Sequence, residues 1–185
     1  MTQNNNKKIM LVLAAIFVLP VLLAKFALET DFFNKGATNK GNLLPEPLEF
    51  ATVLKRDEPI WRLVFTLPES CAQTCKNSIY SINQIWQAIG REQDRVQATI
   101  LYTQNSDAIV KAEIIEMENF AALPVTQEQL QSVFQSHSLA DIYIADTLGN
   151  IILSYSITED SEQAVMKSRD ILADLKKLLK LSRIG

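Results

Sequence analysis

The chain has 185 residues, a formal net charge of −3 and two cysteines. This length is enough for one domain of ordinary size plus an appendage. Because the lysines and arginines are spread along the chain rather than massed in a patch, the composition gives no indication of nucleic-acid binding.

The first predicted element is a membrane-spanning helix over residues 9–28. Ile9 to Ala24 contains no charged residue, and about twenty helical residues span ~30 Å, the thickness of the apolar core of a bilayer. Lys7 and Lys8 precede this segment. The positive-inside rule therefore places residues 1–8 in the cytoplasm and the rest of the chain outside the inner membrane, which in a bacterium is the periplasm.

A cleaved signal peptide is the competing interpretation of this segment. The cleavage site of a signal peptide needs small residues at positions −3 and −1. The pairs Leu22/Ala24 and Lys25/Ala27 fit that requirement poorly. We therefore favour an uncleaved, single-pass anchor.

Residues 29–45 are predicted to form a flexible tether between the anchor and a domain over residues 46–185. The segment contains two glycines and three asparagines and has no hydrophobic periodicity, which is typical of a linker. An edge strand over Leu48–Leu54 is predicted to begin the domain.

The most informative part of the domain is a pair of cysteines, Cys71 and Cys75, between a predicted strand and a predicted helix. Trp61–Leu67 is an apolar run bounded by Pro68, which is typical of a buried strand. Apolar residues at steps of three and four predict a helix over Cys75–Gly90. Free N–H groups and the helix dipole favour a thiolate at a helix start. The two sulfurs could therefore close a disulfide or bind a soft metal together.

A purely structural disulfide is the alternative role for this pair. A disulfide across so short a loop removes little chain entropy, about 2 kcal/mol in the chain-entropy model. Redox or metal chemistry is therefore the preferred interpretation. In the periplasm, a cysteine pair is oxidised unless a reductant reduces it or a metal holds it.

The rest of the domain is predicted to contain a strand, a helix, a hairpin and a last helix. These elements are Val96–Tyr102, a helix from the capping box at Thr126 through Phe134, a hairpin over Asp141–Tyr155, and a helix from about Ser161. Ala108–Pro124 is compatible with a helix or with a short strand and a loop. Two strands joined by a helix imply a parallel crossover. The complete order predicts an α/β, thioredoxin-like domain, with a mixed central sheet flanked by helices.

His137 is the only histidine of the chain and lies between the predicted helix ending at Phe134 and the strand from Asp141. One interpretation is a solvated loop histidine. In a thioredoxin-like topology, however, this loop lies over the strand-to-helix turn that carries the cysteines. The other interpretation is thus a site of Cys71, Cys75 and His137, which suits copper because thiolates select Cu(I) and imidazole accepts Cu(II).

Two features weigh against a general disulfide oxidoreductase of the thioredoxin type. Such proteins use a Cys-x-x-Cys spacing, whereas three residues separate the cysteines of this chain. They also place a cis-proline just before the strand that faces the sulfurs, whereas no proline lies between Pro124 and Asp141.

Several stretches of the domain together resemble a known family. They are Trp61-Arg62-Leu63-Val64-Phe65 leading to Cys71-x-x-x-Cys75, Ile85-Trp86, Arg95-Val96-Gln97, and His137 followed by Ile142-Tyr143-Ile144-Ala145-Asp146 and Gly149. Over roughly residues 46–180 the chain resembles the Sco/SenC family, membrane-tethered copper proteins that serve assembly of the dinuclear copper site of cytochrome c oxidase. The resemblance implies that Cys71, Cys75 and His137 are copper ligands.

The sequence also departs from the pattern of this family. Ala72 and Lys76 stand where the family has a proline after each cysteine, and Thr103–Asp107 replaces its Asp-Pro-x-x-Asp/Arg signature. The stretches Thr38–Gly41 and Leu178–Gly185 resemble a less-studied group of small membrane proteins encoded beside cytochrome oxidase assembly factors, in which the histidine is often absent. The chain is therefore identified as a divergent Sco-like protein.

The resemblance implies a cytochrome c oxidase assembly factor that carries copper or exchanges thiols through Cys71 and Cys75, rather than a turnover enzyme. Its implied partners are the inner membrane and an apo cytochrome c oxidase subunit or another copper chaperone. The alternatives are a thiol–disulfide reductant without copper and a non-catalytic interaction protein with a structural disulfide. We predict that the cysteines lie within disulfide reach and are partly exposed, with His137 on a mobile loop above them.

Overall fold

The computed structural model describes residues 3–29, 39–54 and 59–182. The chain divides into two units, Met1–Thr38 and Asn39–Gly185. The first unit contains helix α1 (Gln3–Glu29), which covers the whole of the predicted membrane segment.

Helix α1 is a candidate membrane span by length and composition. The stretch Lys8–Phe26 has 19 residues and a mean hydropathy of 2.7. Its described side chains are exposed, as expected of a helix whose apolar surface faces lipid. Pro20 lies within α1, a position that membrane helices tolerate.

The second unit is built on one mixed sheet. Its described elements are β1 (Asn42–Glu49), β2 (Trp61–Thr66), α2 (Gln73–Ile89), a 3₁₀ helix (Gly90–Arg95), β3 (Val96–Tyr102), α3 (Ala108–Glu116), β4 (Phe120–Pro124), α4 (Gln127–Phe134), β5 (Ile142–Ala145), β6 (Asn150–Tyr155) and α5 (Ser161–Leu181). The strand order is β1-β6-β5-β2-β3-β4. Strands β2, β3 and β4 are parallel, and the other neighbouring pairs are antiparallel. The predicted thioredoxin-like α/β fold is confirmed.

Strand β2 lies inside the sheet, between β3 and β5, and all six of its residues are buried. A strand covered on both faces is apolar along its whole length rather than in alternation. Leu63 and Phe65 belong to the core shared with α2 and α5. Val64 belongs to the core shared with α4. The end of β2 is therefore fixed from both faces of the sheet.

Strand β1 differs from its predicted position. It begins at Asn42, inside the predicted tether, and ends at Glu49, before a turn that covers part of the predicted strand Leu48–Leu54. The register with β6 shifts between Leu43 and Leu48. Pro45 and Pro47 fall within this irregular stretch, where an edge strand tolerates residues that lack an N–H. Residues 30–38 of the predicted tether lie outside the described residues.

The stretch Ala108–Pro124, whose sequence is compatible with a helix or with a short strand and a loop, contains both a helix and a strand, α3 and β4. The predicted capping box is confirmed, because the Thr126 hydroxyl accepts from the Gln129 N–H and the Gln129 side chain accepts from the Thr126 N–H. The predicted hairpin is formed by β5 and β6, with Gly149 at a positive φ of 81° in its turn. The last helix begins at Ser161, as predicted.

A buried carboxylate fixes the point where the chain enters this unit. Asp174 of α5 is 2 % exposed and accepts hydrogen bonds from the N–H groups of Lys40 and Gly41, at 2.7 and 2.9 Å, and from the Tyr155 hydroxyl at 2.8 Å. Burial, reinforced by Asp174, raises the pKa of Tyr155. A Cβ at Gly41 would clash with the Tyr155 ring, so a larger residue there would require the ring to move.

Candidate functional site

The cysteine pair lies on the turn between β2 and α2, as predicted. Cys71 and Cys75 form a disulfide, with their Cα atoms 5.1 Å apart. The prediction that they lie within disulfide reach is therefore confirmed. Ala72, the residue before α2, supplies no side-chain cap. The first turn of α2 thus retains donors that can favour a thiolate nearby after reduction.

The cysteines are more buried than predicted. Cys71 is 7 % exposed and Cys75 is 5 % exposed, so the expectation of partial exposure is wrong. Both sulfur-bearing residues belong to the core cluster of α2 and β2, together with Phe65 and Ile82. The helical stripe that begins at Cys75 continues into this core, and it draws the disulfide inward.

Each cysteine borders a surface cavity. Cys75 lines a cavity of about 400 Å³ together with Leu130, at the start of α4, and with Leu139 and Ala140, in the loop before β5. Cys71 lines a second cavity, of about 310 Å³, whose walls come from α2, α3 and β4. The disulfide therefore borders solvent-accessible space on two sides although it is buried by area.

The loop between β3 and α3 is hydrogen-bonded to the cysteine turn. The Ser106 hydroxyl donates to the Leu67 carbonyl at 2.7 Å, and the Cys71 N–H donates to the Asp107 carboxylate at 3.1 Å. Asp107 also caps α3, because it accepts from the N–H groups of Ile109 and Val110. One carboxylate thus holds both the backbone of Cys71 and the start of α3.

Asp107 was missed as a site residue in the sequence, although Thr103–Asp107 was recognised as a departure from the family signature. A signal was present, since aspartate directly before a helix is a preferred N-cap. The hydrogen bond from the Cys71 N–H, followed by that from Val110, holds the pKa of Asp107 below its ordinary value of 3.8. The charged form of Asp107 therefore stabilises the folded chain above that value, and this contribution is lost as the pH falls through the lowered pKa.

We predict that Asp107→Ala lowers the Tm of the oxidised chain more than Asp160→Ala does. Asp160 is the matched control because it caps α5 through two N–H groups and its described contacts do not include the cysteine turn. Asp107→Asn should retain most of the Tm at neutral pH, since asparagine is an equally good N-cap, and should lose less Tm on acidification. Thermal unfolding at neutral and acidic pH measures both effects. Equal losses for the two alanine variants would contradict the coupling to Cys71.

His137 is not brought together with the cysteines. Its N–H donates to the Phe134 carbonyl at 2.7 Å, and its Nδ1 lies 3.0 Å from the same oxygen. The ring lines another cavity, of about 610 Å³, between the end of α4 and β1, together with Glu46 and Glu49. Within residues 3–29, 39–54 and 59–182, no three His, Cys, Asp or Glu side chains form a group that could hold a metal.

The part of the loop that does face Cys75 is apolar. Leu139 and Ala140 share the cavity of Cys75 and lie in the loop before β5. The described backbone contains no cis peptide bond. The site that the structure assembles is thus a disulfide between two cavities, capable of accepting or donating two electrons through thiol–disulfide exchange.

Comparison with known proteins identifies a family model over most of this unit. The model described as "Transmembrane-like, thioredoxin-like, C-terminal domain" matches residues 61–182. No curated protein sequence matches the chain.

Similar solved structures include Sco proteins and a thiol:disulfide interchange protein. BsSco, described as a member of the Sco family of cytochrome c oxidase assembly proteins with a disulfide switch, has 13% identity and a TM-score of 0.50, over 77% of this chain and 95% of its own. Arabidopsis thaliana ScoI with copper bound has 12% identity and a TM-score of 0.49, over 74% and 98%. A putative thiol:disulfide interchange protein DsbE from Chlorobium tepidum has 14% identity and a TM-score of 0.49, over 74% and 98%. At these identities the likeness concerns the fold.

Proposed function

Since the chain belongs to the family of transmembrane-like, thioredoxin-like C-terminal domains, we propose that it is a membrane-tethered thiol–disulfide exchange protein. Cys71 and Cys75 alternate between a disulfide and two thiols, and they exchange with the cysteines of a client. The observation that carries this proposal is the Cys71–Cys75 disulfide on a strand-to-helix turn with a cavity on each side. A disulfide with a purely structural role does not require cavities that give a client access to its sulfurs.

Equilibration of the detergent-solubilised chain in glutathione redox buffers tests this function. Alkylation of the free thiols, followed by mass spectrometry of the intact protein, gives the fraction of reduced chain at each ratio of reduced to oxidised glutathione. We expect reversible interconversion within the range of glutathione buffers, as for proteins whose disulfides are catalytic or regulatory. A disulfide that stays intact until the chain is denatured would indicate a structural staple instead.

We further propose that the client is an apo subunit of cytochrome c oxidase or another copper chaperone. The support is the likeness in fold to BsSco, whose description places it among cytochrome c oxidase assembly proteins. A membrane tether raises the effective concentration of the thiols near a membrane-bound client without any additional contact. Deletion of the gene should lower the copper content of the oxidase, and the wild-type gene should restore it. Normal oxidase in the deletion strain would exclude this client.

Copper as cargo is a second candidate function, favoured by the proximity of the two sulfurs. After reduction, Cys71 and Cys75 offer two thiolates from one turn, with Cα atoms 5.1 Å apart, a donor set that suits Cu(I). The third ligand implied for His137 does not fit the described arrangement, because no three His, Cys, Asp or Glu side chains among the described residues form a group that could hold a metal, and His137 lines a different cavity from the cysteines. The residues present therefore fit Cu(I) rather than a three-ligand Cu(II) site.

We predict that His137→Ala leaves the Cu(I) affinity of the reduced chain unchanged. Competition with a chromophoric Cu(I) chelator under anaerobic conditions measures this affinity, and Cys75→Ser is the positive control that should weaken it strongly. Cu(II) titration of the same two chains provides the counter-test. A large loss of Cu(II) affinity in His137→Ala would mean that the loop before β5 moves and brings the imidazole to the sulfurs.

The proposed location is the inner membrane, with the second unit in the periplasm. The support is helix α1, which is a candidate membrane span, and the two lysines that precede its apolar segment, Lys7 and Lys8. Protease added to spheroplasts should then release a fragment close in size to the unit Asn39–Gly185. Protection of that fragment until the cells are lysed would reverse the topology.

A further inference from the structure

The two cysteines are fixed to the domain in different ways. Cys75 lies in the first turn of α2, where the backbone of the helix holds it. Cys71 comes before this helix, since Ala72 is the residue that precedes the first turn. Within the part of the chain that the structure describes, the backbone of Cys71 is bonded through its N–H to the Asp107 carboxylate, at 3.1 Å. Cys71 is therefore held by two links, the disulfide and the bond to Asp107.

Asp107 has its own anchors, which do not include a sulfur. Its Oδ1 accepts from two N–H groups in the first turn of α3, and Ile114 of that helix is buried in the core. The Asp107 N–H donates to the Pro68 carbonyl at 2.9 Å. The second carboxylate oxygen, Oδ2, is the one that accepts from Cys71. These anchors of Asp107 remain when the disulfide is reduced.

Reduction of the disulfide leaves the Asp107 bond as the remaining link on Cys71. Residues 69–72 join the anchored Pro68 to the start of α2. If this short stretch were released on reduction, it would gain backbone freedom, and that gain would favour the dithiol over the disulfide. A bond that persists in the reduced chain opposes the gain and keeps the two sulfurs close.

We propose that Asp107 is a positioning residue of the exchange reaction, whose carboxylate keeps Cys71 beside Cys75 in the reduced chain and so shifts the equilibrium of the pair toward the disulfide. The inference rests on the proposed exchange function and adds to it a residue from outside the cysteine turn. The effect is one of effective concentration, because two groups held in the right geometry react as if they were highly concentrated.

The equilibrium concerned is a two-electron exchange, with glutathione disulfide as the oxidant. One thiolate of the reduced pair attacks glutathione disulfide, so that a mixed disulfide forms and one glutathione thiolate leaves. The other cysteine thiolate then attacks the protein sulfur of the mixed disulfide, the Cys71–Cys75 bond forms and the second glutathione thiolate leaves. The two glutathione thiolates take up the two protons that the cysteines release. Asp107 acts on the second step, which requires the two sulfurs to meet.

Asp107→Asn separates this role from the capping of α3. The carboxylate uses one oxygen for α3 and the other for Cys71, whereas an asparagine side chain has a single acceptor oxygen. We expect this oxygen to stay on the two N–H groups of α3, which leaves the NH₂ group facing the Cys71 N–H. The Tm should then be largely retained, while the link to Cys71 is lost.

Equilibration of the full chain with glutathione buffers in detergent measures the effect. The equilibrium constant for oxidation should be about tenfold lower in Asp107→Asn than in the wild type, the order expected when the backbone of one residue is set free. Asp160→Ala, which removes the cap of α5, should leave this constant unchanged. Glu69→Gln should also leave it unchanged, since it neutralises an exposed carboxylate of the cysteine turn without removing a described bond to Cys71.

The outcomes separate this inference from the exchange function. A wild-type disulfide that does not exchange in the folded chain would defeat the exchange function itself. A wild-type chain that exchanges, with an unchanged constant in Asp107→Asn, would overturn the role of Asp107 alone. An equal shift in Glu69→Gln or in Asp160→Ala would overturn it as well, because charge or general stability would then account for the effect. High salt, which screens charges, should leave the shift in place.

Hydrogen exchange of the Cys71 amide tests the same role without any substitution. Isotope-labelled cysteine gives two backbone amide signals, one from Cys71 and one from Cys75. In the reduced wild-type chain, the Cys71 amide should stay protected from exchange, because its bond to Asp107 persists. Exchange at the rate of an unstructured peptide would overturn the proposal, and this result can be obtained even if Asp107→Asn fails to fold.

Discussion

Serine substitution of Cys71, of Cys75 or of both is expected to abolish two-electron reduction of a disulfide by the chain, to the same extent in all three variants. The two sulfurs act as a unit, because the first forms the mixed disulfide and the second resolves it. Residues that act as a unit have strongly non-additive effects, so the second substitution should remove nothing further. A single-turnover assay with the reduced chain and a peptide that contains an internal disulfide measures the yield of fully reduced, released peptide, because a variant with one cysteine leaves the peptide attached as a mixed disulfide.

Ser70→Ala is the control for this experiment, since Ser70 is an exposed residue of the same turn and should retain the full yield. The stability of the variants separates exchange from a structural role. Loss of the disulfide should cost at most about 2 kcal/mol, because the closed loop is short. Variants that restore oxidase copper in a deletion strain despite losing exchange would contradict the proposed function. Variants that unfold at the growth temperature would instead support a structural staple.

The central part of the fold could be predicted from local sequence patterns. The apolar run Trp61–Thr66 and the helical stripe from Cys75 define β2 and α2, and the residues that set their ends are close in sequence. The capping box at Thr126 likewise sets the start of α4 through contacts only three residues apart. Such short-range patterns hold because the tertiary structure adds burial without changing the local backbone.

Contacts between distant residues account for the features that the sequence analysis missed. The hydrogen bond between Cys71 and Asp107 joins residues 36 apart, and that between Lys40 and Asp174 joins residues 134 apart. Neither pairing leaves a periodic signal. The start of the edge strand β1 was assigned to the tether because residues 29–45 contain several glycines and asparagines and have no periodicity, and only its pairing with β6 identifies it as a strand.

The placement of His137 shows the limit of reasoning from topology. The loop before β5 does reach the cysteine turn, as expected, but Leu139 and Ala140 are the residues that line the cavity of Cys75. The turn after α4 contains Gln135 at a positive φ of 48°, and the Phe134 carbonyl then holds the backbone and the ring of His137. His137 and Leu139 are two residues apart on this loop, yet they line different cavities.

Asp174→Ala is expected to cause the largest loss of folding stability among single substitutions outside the cysteine pair, about 3 to 5 kcal/mol. The substitution leaves three donors without their acceptor, the N–H groups of Lys40 and Gly41 and the hydroxyl of Tyr155. Two of these donors are backbone groups that cannot be removed, and Tyr155 is 2 % exposed. The penalty combines an unsatisfied buried donor, the Tyr155 hydroxyl, with the loss of two hydrogen bonds from partly buried N–H groups to a carboxylate.

Asp170→Ala is the matched control, one turn earlier on α5. Asp170 forms an ion pair with the Lys40 ammonium at 2.8 Å, but Lys40 is exposed, and exposed ion pairs contribute little. Tyr155→Phe should lie between the two, since it removes one donor together with its need for a partner. Urea unfolding of the oxidised chain, followed by limited proteolysis near residues 39–41, measures stability and release of the entering segment. Equal stability losses for Asp174→Ala and Asp170→Ala would show that water replaces the carboxylate and that Asp174 does not fix the entry of the chain into its domain.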